Sequence, residues 1–471
     1  MSLQQQKKIL QQNPTSWIQV AFDESLWGKQ KDICQSIRDN RRTTVRSCHG
    51  SGKSFLSARI ALWYLYTHHN SKVITTAPTF RQVQEILWKE LRYAKSKSRV
   101  NLGGRINQTS LEIDNNWFAL GLSTNEPSRF QGFHAVDILL IVDEAAGVVE
   151  DIYNASEGIV SSEGAKVLYI GNPTDLAGSF YQSFKQENFS KIHISAFDTP
   201  NFTEFGITIE DIRNNTWSQK INKSLPRPYL ITPEWVYDKF LKWGESSPMW
   251  ASRVIGDFPE QGEDTLIPLN RIEAAAVRDL IPNDGDIEAV GADIARFGGD
   301  KTIFTHRKGP KVIEIKSYSH MNTMETSARL QDFMHYHPMS VVNIDEVGVG
   351  AGVLDRVTQM ESTRTVNGIN VGTAPKNKEM FVNLRAEIYW GLRERFIDGT
   401  IDIPDDEELI GQLANIKFEY TPKGQIKIES KDEMKARGMS SPDKADSLAL
   451  AFADVHSKPA VIDYMKAFTE L

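Results

Sequence analysis

A chain of 471 residues is about three times a typical domain of roughly 150 residues and is expected to fold as two or three units. Its 40% hydrophobic and 24% charged residues exclude a disordered or fibrous protein, and no apolar run approaches the roughly 20 residues of a membrane span. The net charge of -7 excludes a uniformly basic coat but leaves room for a local basic face.

The N-terminus, MSLQQQKKILQQNP, has no apolar signal core, so the chain is expected to stay where it is made, without a membrane. Cys34 and Cys48 can form neither a disulfide framework nor a C-x-x-C metal site, which fits a reducing cytoplasm. In LWGKQKDI, Gln30 is either a reader of adenine or a surface residue. Short apolar strands follow at 43–47, 72–78, 138–144, 165–173 and 191–197, several of them continuously apolar, as buried parallel strands are. SLEIDNNWFALGLS interrupts them as a hairpin turning at Asp114, Asn115 and Asn116.

Strand 43–47 runs into RSCHGSGKS, residues 46–54, and then into a helix beginning SFLSARIALWYLY. The usual phosphate loop, G-x-x-x-x-G-K-[ST], has glycine where this chain has Ser47. A small Ser47 is tolerable if its φ is negative. Gly50, Ser51 and Gly52 leave backbone N–H groups free to converge on phosphate oxygens; Lys53 supplies charge and Ser54 a hydroxyl for Mg2+. ILLIVDEAA ends a buried strand in Asp143, suited to holding Mg2+ through water, and Glu144, suited to polarising the attacking water. IGNPT brings Asn172 and Thr174 to the next strand end, as γ-phosphate sensors or as a polar turn. TTAPTFRQV offers hydroxyls and Arg81 to a nucleic-acid backbone or to helix capping. Two basic stretches, Arg38, Arg41, Arg42 and Arg46, and KELRYAKSKSR at 89–99, are DNA contacts or solvated faces.

Residues 200–258 are helical and Trp-rich, and the acidic stretch 259–286 is read as a connection with a short helix inside it. Beyond it, strands at 287–295, 301–308 and 311–319, a helix at 322–336 and the strand SVVNIDEVGV give the β-β-β-α-β order of a ribonuclease H-like domain, flanked by helices at 378–397 and 441–454. Asp293 lies in the first strand, Asp300 before the second and Asp345 on the fourth. Asp443 and Asp446 stand three apart on one helix face. Converging on one sheet edge, such acids suit two Mg2+ or Mn2+ ions that activate a water and stabilise a leaving oxygen. Asp443 alone also suits an N-cap.

The imperfect phosphate loop, the DEA box, IGNPT, GADIARFGGDKT, NIDEVGVG and SPDKADSLALAFA together resemble the large terminase subunit of tailed double-stranded DNA bacteriophages, in order from Gln30 to about Ala453. The resemblance implies an α/β protein: a P-loop, RecA/ASCE-like ATPase domain (1–200), a small helical lid (201–258), a linker (259–286) and a ribonuclease H-like nuclease domain (287–471). It implies ATP on Lys53 and Ser54, Mg2+ on Ser54 and Asp143, Glu144 as catalytic base, Asn172 in the coupling motif, and Asp293, Asp345 and Asp446 as catalytic metal ligands, with Asp300 and Asp443 beside them. Many relatives have an arginine four residues before the loop lysine, where this chain has His49. Arg46 lies further back, and Arg129, in a stretch resembling one that acts on a neighbouring subunit's ATP, is the better finger. Such proteins package double-stranded DNA through a portal with a small terminase subunit, as a ring on the portal though often monomeric in isolation. They act in the host cytoplasm and at the procapsid portal and are absent from the mature virion. A cellular helicase-nuclease and an inactive ATP-binding DNA scaffold are the rival readings.

Overall fold

β-branched and aliphatic runs separated by glycine-rich and polar turns build one large sheet in each of two compact units, Met1–Glu260 and Gln261–Leu471, with a small two-stranded sheet, Phe418–Tyr420 and Ile426–Ile428, added in the second. The computed structural model describes residues 9–122, 130, 132–259, 264–295, 301–338, 340–361, 364–437 and 439–453.

The strands of the first unit are β1 (Arg42–Ser47), β2 (Lys72–Thr76), β3 (Arg105–Ile106), β4 (Ser110–Asp114), β5 (Trp117–Gly121), β6 (Asp137–Asp143), β7 (Gly164–Gly171) and β8 (Ser190–Ile194). They form one sheet in the order β3-β4-β5-β2-β6-β7-β1-β8. From β5 to β8 every neighbour is parallel, and the strand ends carrying the motifs lie side by side. Ile138 to Val142 of β6 are buried throughout, because helices cover both faces of a parallel sheet. The expected hairpin is β4-β5, an antiparallel edge in which Asp114 Oδ1 accepts the Asn115 N–H at 2.7 Å.

Residues 200–258 form a set of short helices braced against the phosphate loop. Buried Asn201 donates to the carbonyls of Arg227 (2.8 Å) and Ile231 (3.0 Å), and the Ile231 N–H donates to the Gly50 carbonyl at 2.9 Å. Thr232 then caps the helix Pro233–Trp243, accepting the Trp235 N–H at 3.2 Å with proline in the first turn.

The second unit is built on β9 (Glu288–Asp293), β10 (Thr302–Lys308), β11 (Lys311–Tyr318), β12 (Val341–Asp345) and β13 (Val366–Ile369), in the order β11-β10-β9-β12-β13. β11, β10 and β9 are antiparallel, whereas β9, β12 and β13 are parallel. The helix Thr323–Tyr336 makes the crossover, started by Asn322 and Glu325 as a capping box. Two elements beyond the expected order follow β12: the helix Gly350–Met360 and the strand β13. The helix expected at 378–397 runs from Leu384 to Asp398, because Asn383 accepts the Ala386 N–H and fixes its start. Within the acidic stretch 259–286 lies the helix Leu269–Ala276, whose Leu269, Ile272 and Ala275 are buried in this unit.

The helix Asp443–Ala451 lies directly on β9. A Cβ at Gly291 would stand 2.1 Å from the Ser447 carbonyl oxygen, so only glycine permits this approach. Ser447 Oγ completes the contact by donating to the Gly291 carbonyl at 3.0 Å.

Candidate active sites

In the first unit the loop between β1 and the helix Lys53–Thr67 turns at Gly50 (φ 62°) and Gly52 (φ 85°), conformations that L side chains rarely adopt. Ser47 does not have a positive φ. Its Oγ lies 2.6 Å from Ser51 Oγ, a contact that fastens the two ends of the loop. Gln30 is buried against this loop: a Cβ at Gly52 would meet its Nε2 at 2.8 Å.

Lys53 Nζ donates to Asn172 Oδ1 at 3.1 Å and to the Cys48 carbonyl at 3.3 Å, and lies 3.8 Å from Glu144 Oε1. Asn172 Nδ2 in turn donates to the Ser47 carbonyl at 2.7 Å. Ser54 Oγ donates to Asp143 Oδ2 at 3.0 Å. Lys53, Ser54, Asp143, Glu144 and Asn172, each singled out from sequence, thus share one hydrogen-bonded cluster. Burial and the neighbouring Glu144 push the Asp143 carboxyl up to about 7, against the pull of Lys53 and the Ser54 hydroxyl. Glu144 holds φ 46° and ψ 47°, a left-handed conformation that costs a side-chain-bearing residue on the order of 1–2 kcal/mol. That turn aims Glu144 past the end of β6, toward Lys53 and the Asn172 backbone. Strain of this kind gathers where geometry serves chemistry.

His49 holds its N–H on the Arg253 carbonyl at 2.8 Å, and its ring stacks on Trp235 with centroids 6.0 Å apart. Arg46 is bound to Asp257 at 2.8 Å and is turned over Phe184 and Phe258. Arg129 falls outside the described residues. Thr79 and Gln82 form a capping box, so the TTAPT hydroxyls include a helix cap. The basic run ahead of the loop is internally engaged: Arg38 meets Asp39, Arg41 donates to the Val160 and Ser162 carbonyls, and Arg42 forks onto Glu157. Cys34 and Cys48 are buried free thiols, pushed by burial up to about 12 and hence unreactive.

In the second unit Asp293 ends β9, Asp345 ends β12, and Asp443 and Asp446 occupy the first turn of the helix on β9. Three of these acids close on Lys431, whose Nζ lies 2.9 Å from Asp446 Oδ2, 3.4 Å from Asp293 Oδ2 and 4.0 Å from Asp443 Oδ1. Asp443 is not the N-cap, a position held by Pro442; its Oδ2 accepts the Lys301 N–H at 2.7 Å. Asp300 falls outside the described residues. Burial pushes Asp293 up to about 8, helped by Asp446, Asp443 and Asp345 and opposed by Lys431. Burial also raises Asp345. Asp446 goes the other way: burial opposes its charge, but Arg385, Lys431 and the Tyr389 hydroxyl outweigh burial and hold it below the ordinary range.

Among the described residues, no three His, Cys, Asp or Glu side chains stand ready as a metal-binding group. The Lys431 ammonium is a cation already seated among the carboxylates, and an all-oxygen donor set of this charge suits Mg2+ or Mn2+. The donor set therefore fits the ions the sequence implies.

Residues 48–233 match the family model described as "Terminase large subunit, T4likevirus-type, N-terminal". Over 465 residues the chain is 25% identical to the "Probable terminase, large subunit" of Enterobacteria phage P7, covering 92% of this chain and 90% of the relative. The chain is thus similar, over most of its length, to a phage large terminase subunit. Among solved terminases, the large terminase of a thermophilic bacteriophage aligns over 91% of this chain and 98% of its own, at 13% identity and a TM-score of 0.41. A mutant nuclease domain of the large terminase subunit gp2 of bacterial virus Sf6, with manganese and beta-thujaplicinol, aligns over 41% of this chain and 100% of its own, at 19% identity and a TM-score of 0.38.

Three residues around the acidic cluster of the second unit escape a sequence reading: Lys431, Arg385 and Tyr389. Lys431 sits in KDEMKAR, an ordinary solvated pattern. Arg385 and Tyr389 stand four apart on one helix face, a spacing that signals a shared neighbour without naming it.

Proposed function

We propose that the chain is the motor subunit that hydrolyses ATP to drive double-stranded DNA through a portal into the procapsid, and that cuts concatemeric DNA with a two-metal endonuclease site. The observation that carries this reading is one chain bearing both a Lys53, Asn172, Glu144 and Asp143 cluster at a parallel sheet edge and a four-aspartate cluster on a ribonuclease H-like sheet.

In the first site, backbone N–H groups of residues 50–54 and Lys53 hold the phosphates, Ser54 and Asp143 serve Mg2+, Glu144 orients and deprotonates the attacking water, and Gln30, buried against the loop, is the proposed reader of adenine. Asn172 joins Lys53 to β1, so that loss of the γ-phosphate is felt at the sheet edge. Arg129, supplied to a neighbouring subunit, is the proposed finger, and hydrolysis then requires assembly into a ring on the portal. In the second site, Asp293, Asp345 and Asp446, with Asp443 as a neighbour and Asp300 as a further candidate ligand from its place in sequence, hold two Mg2+ or Mn2+, which when bound supply an activated water and stabilise the leaving oxygen. The small terminase subunit and portal are the proposed partners, and the host cytoplasm and the procapsid portal the proposed place of action.

The test is plasmid cleavage in Mn2+ by purified wild type, Asp293→Ala and Glu144→Ala chains, and ATP hydrolysis by the same chains assembled on portal-bearing procapsids. Loss of cleavage confined to Asp293→Ala and loss of hydrolysis confined to Glu144→Ala are expected. Cleavage unchanged in Asp293→Ala would overturn the nuclease assignment.

A further inference from the structure

Asp446 is held in an unusual way. Arg385 Nη1, at 2.7 Å, and the Tyr389 hydroxyl, at 2.5 Å, both donate to its Oδ1. Both donors come from successive turns of the helix Leu384–Asp398. Tyr389 is buried, and the Arg385 side chain, 12% exposed, is nearly so; its backbone N–H is further fixed on the Val371 carbonyl at 2.8 Å. A guanidinium beside a carboxylate ordinarily forks onto both oxygens. Here it gives one nitrogen to one oxygen, while Nε and Nη2 have no hydrogen-bond partner among the described residues. Arg385, Tyr389, Asp345 and Asp446 together line a water-sized cavity. The other carboxylate oxygen, Oδ2, is turned to the centre of the cluster, 2.9 Å from Lys431 Nζ.

We propose that Arg385 and Tyr389 are positioning residues that clamp Oδ1 of Asp446 and so present Asp446 to a divalent ion through Oδ2 alone. The proposal rests on the metal-site reading of the cluster. Its discriminating consequence follows from charge: if Arg385 served only to neutralise the acids, its removal would leave a more negative site that binds cations more tightly. A clamp predicts the reverse, because outer partners that orient a ligand typically contribute about 10–100-fold to metal affinity.

The experiment is a Mn2+ titration of the full chain, read by the electron paramagnetic resonance signal of free Mn2+. Wild type would be compared with Tyr389→Phe, Arg385→Gln, Arg385→Lys and Asp293→Asn, each checked for folding by near-UV circular dichroism. Tyr389→Phe and Arg385→Gln are expected to weaken binding about 10-fold or more, and Arg385→Lys, which keeps the charge but not the planar geometry, is expected not to restore it. Tighter or unchanged binding in Arg385→Gln together with unchanged binding in Tyr389→Phe overturns the clamp while leaving the metal site standing. Wild type and Asp293→Asn binding Mn2+ alike overturns the metal site itself, and the clamp with it. Should Arg385→Gln fail to fold, Tyr389→Phe decides alone, since it deletes a single hydroxyl.

Discussion

Lys53 Nζ stands 3.1 Å from Asn172 Oδ1, so the cation of the phosphate loop is held by a side chain 119 residues away in sequence, just past the end of β7. The same Asn172 amide grips the Ser47 carbonyl at 2.7 Å. Replacing Asn172 with alanine leaves Lys53 held by the Cys48 carbonyl and Glu144 alone among the partners described and removes the side-chain tie from the end of β7 to the loop. ATP turnover is expected to fall about 10–100-fold, which corresponds to roughly 1.4–2.7 kcal/mol of barrier. Steady-state ATPase assays over a range of ATP concentrations check this; turnover within twofold of wild type would count against a working role for Asn172.

Gly171 fixes the aim of Glu144. A Cβ there would lie 2.7 Å from the Ala145 N and 3.2 Å from the Glu144 Cα. Gly171→Ala is expected to push the Glu144 turn outward and lower hydrolysis by at least about 10-fold, as a displacement of about 1 Å does, with nucleotide still bound. Fluorescent-nucleotide binding beside a hydrolysis assay separates the two effects.

In the proposed metal site, Lys431 would compete with a divalent ion for the same oxygens. Lys431→Ala is expected to tighten Mn2+ binding and, because Arg385 is then the one cation against Asp446 and its neighbouring acids among the described residues, to lower the melting temperature of the metal-free chain at pH 8. Added Mn2+ should restore that loss. Weaker Mn2+ binding would instead make Lys431 an organiser of the ligands.

Asp293, near 8 in the fold and near 3.8 ordinarily, keeps a proton that the unfolded chain has released. Between about pH 4 and 8 the folded state binds more protons than the unfolded one, so this group's contribution to stability falls as pH rises across that window. Metal-free Asp293→Asn lacks this dependence. Its melting temperature should decline less than that of wild type from pH 5 to pH 9, with about 2–4 °C marking each kcal/mol for a unit of this size. Parallel declines in a pH series of melting curves would place the burden on other groups.

Arg41 and Arg42 spend their guanidinium groups on Val160, Ser162 and Glu157. The double variant Arg41→Ala, Arg42→Ala should leave the salt dependence of DNA binding unchanged, whereas each lost phosphate contact lowers the slope by about 1. Anisotropy titrations across a KCl series measure it.

What the sequence made legible is local in origin. β6 and β7 announce themselves because a strand buried on both faces must be apolar throughout, and the loop, Asp143, Glu144 and Asn172 sit at strand ends where polar residues stand out. The acids of the second unit were likewise visible at strand and helix ends. Lys431, Arg385 and Tyr389 were not, because their meaning arises only when segments far apart in sequence converge on Asp446. β13 was missed for a related reason: Val366–Ile369 is short and holds Asn and Gly, so its pairing with β12 comes from tertiary packing and not from propensity. The basic residues before the phosphate loop stayed ambiguous, since composition does not reveal that Arg42 meets Glu157 or that Arg46 meets Asp257.

The contact at Gly291 reaches beyond local packing. Because the main chain of β9 touches the main chain of the helix Asp443–Ala451 there, the gap between Asp293 and Asp446 is a dimension of the backbone and not of any adjustable side chain. Any side chain at residue 291 would wedge the helix off the sheet and draw Asp446 away from Asp293, so this glycine sets the spacing of two carboxylates it never touches.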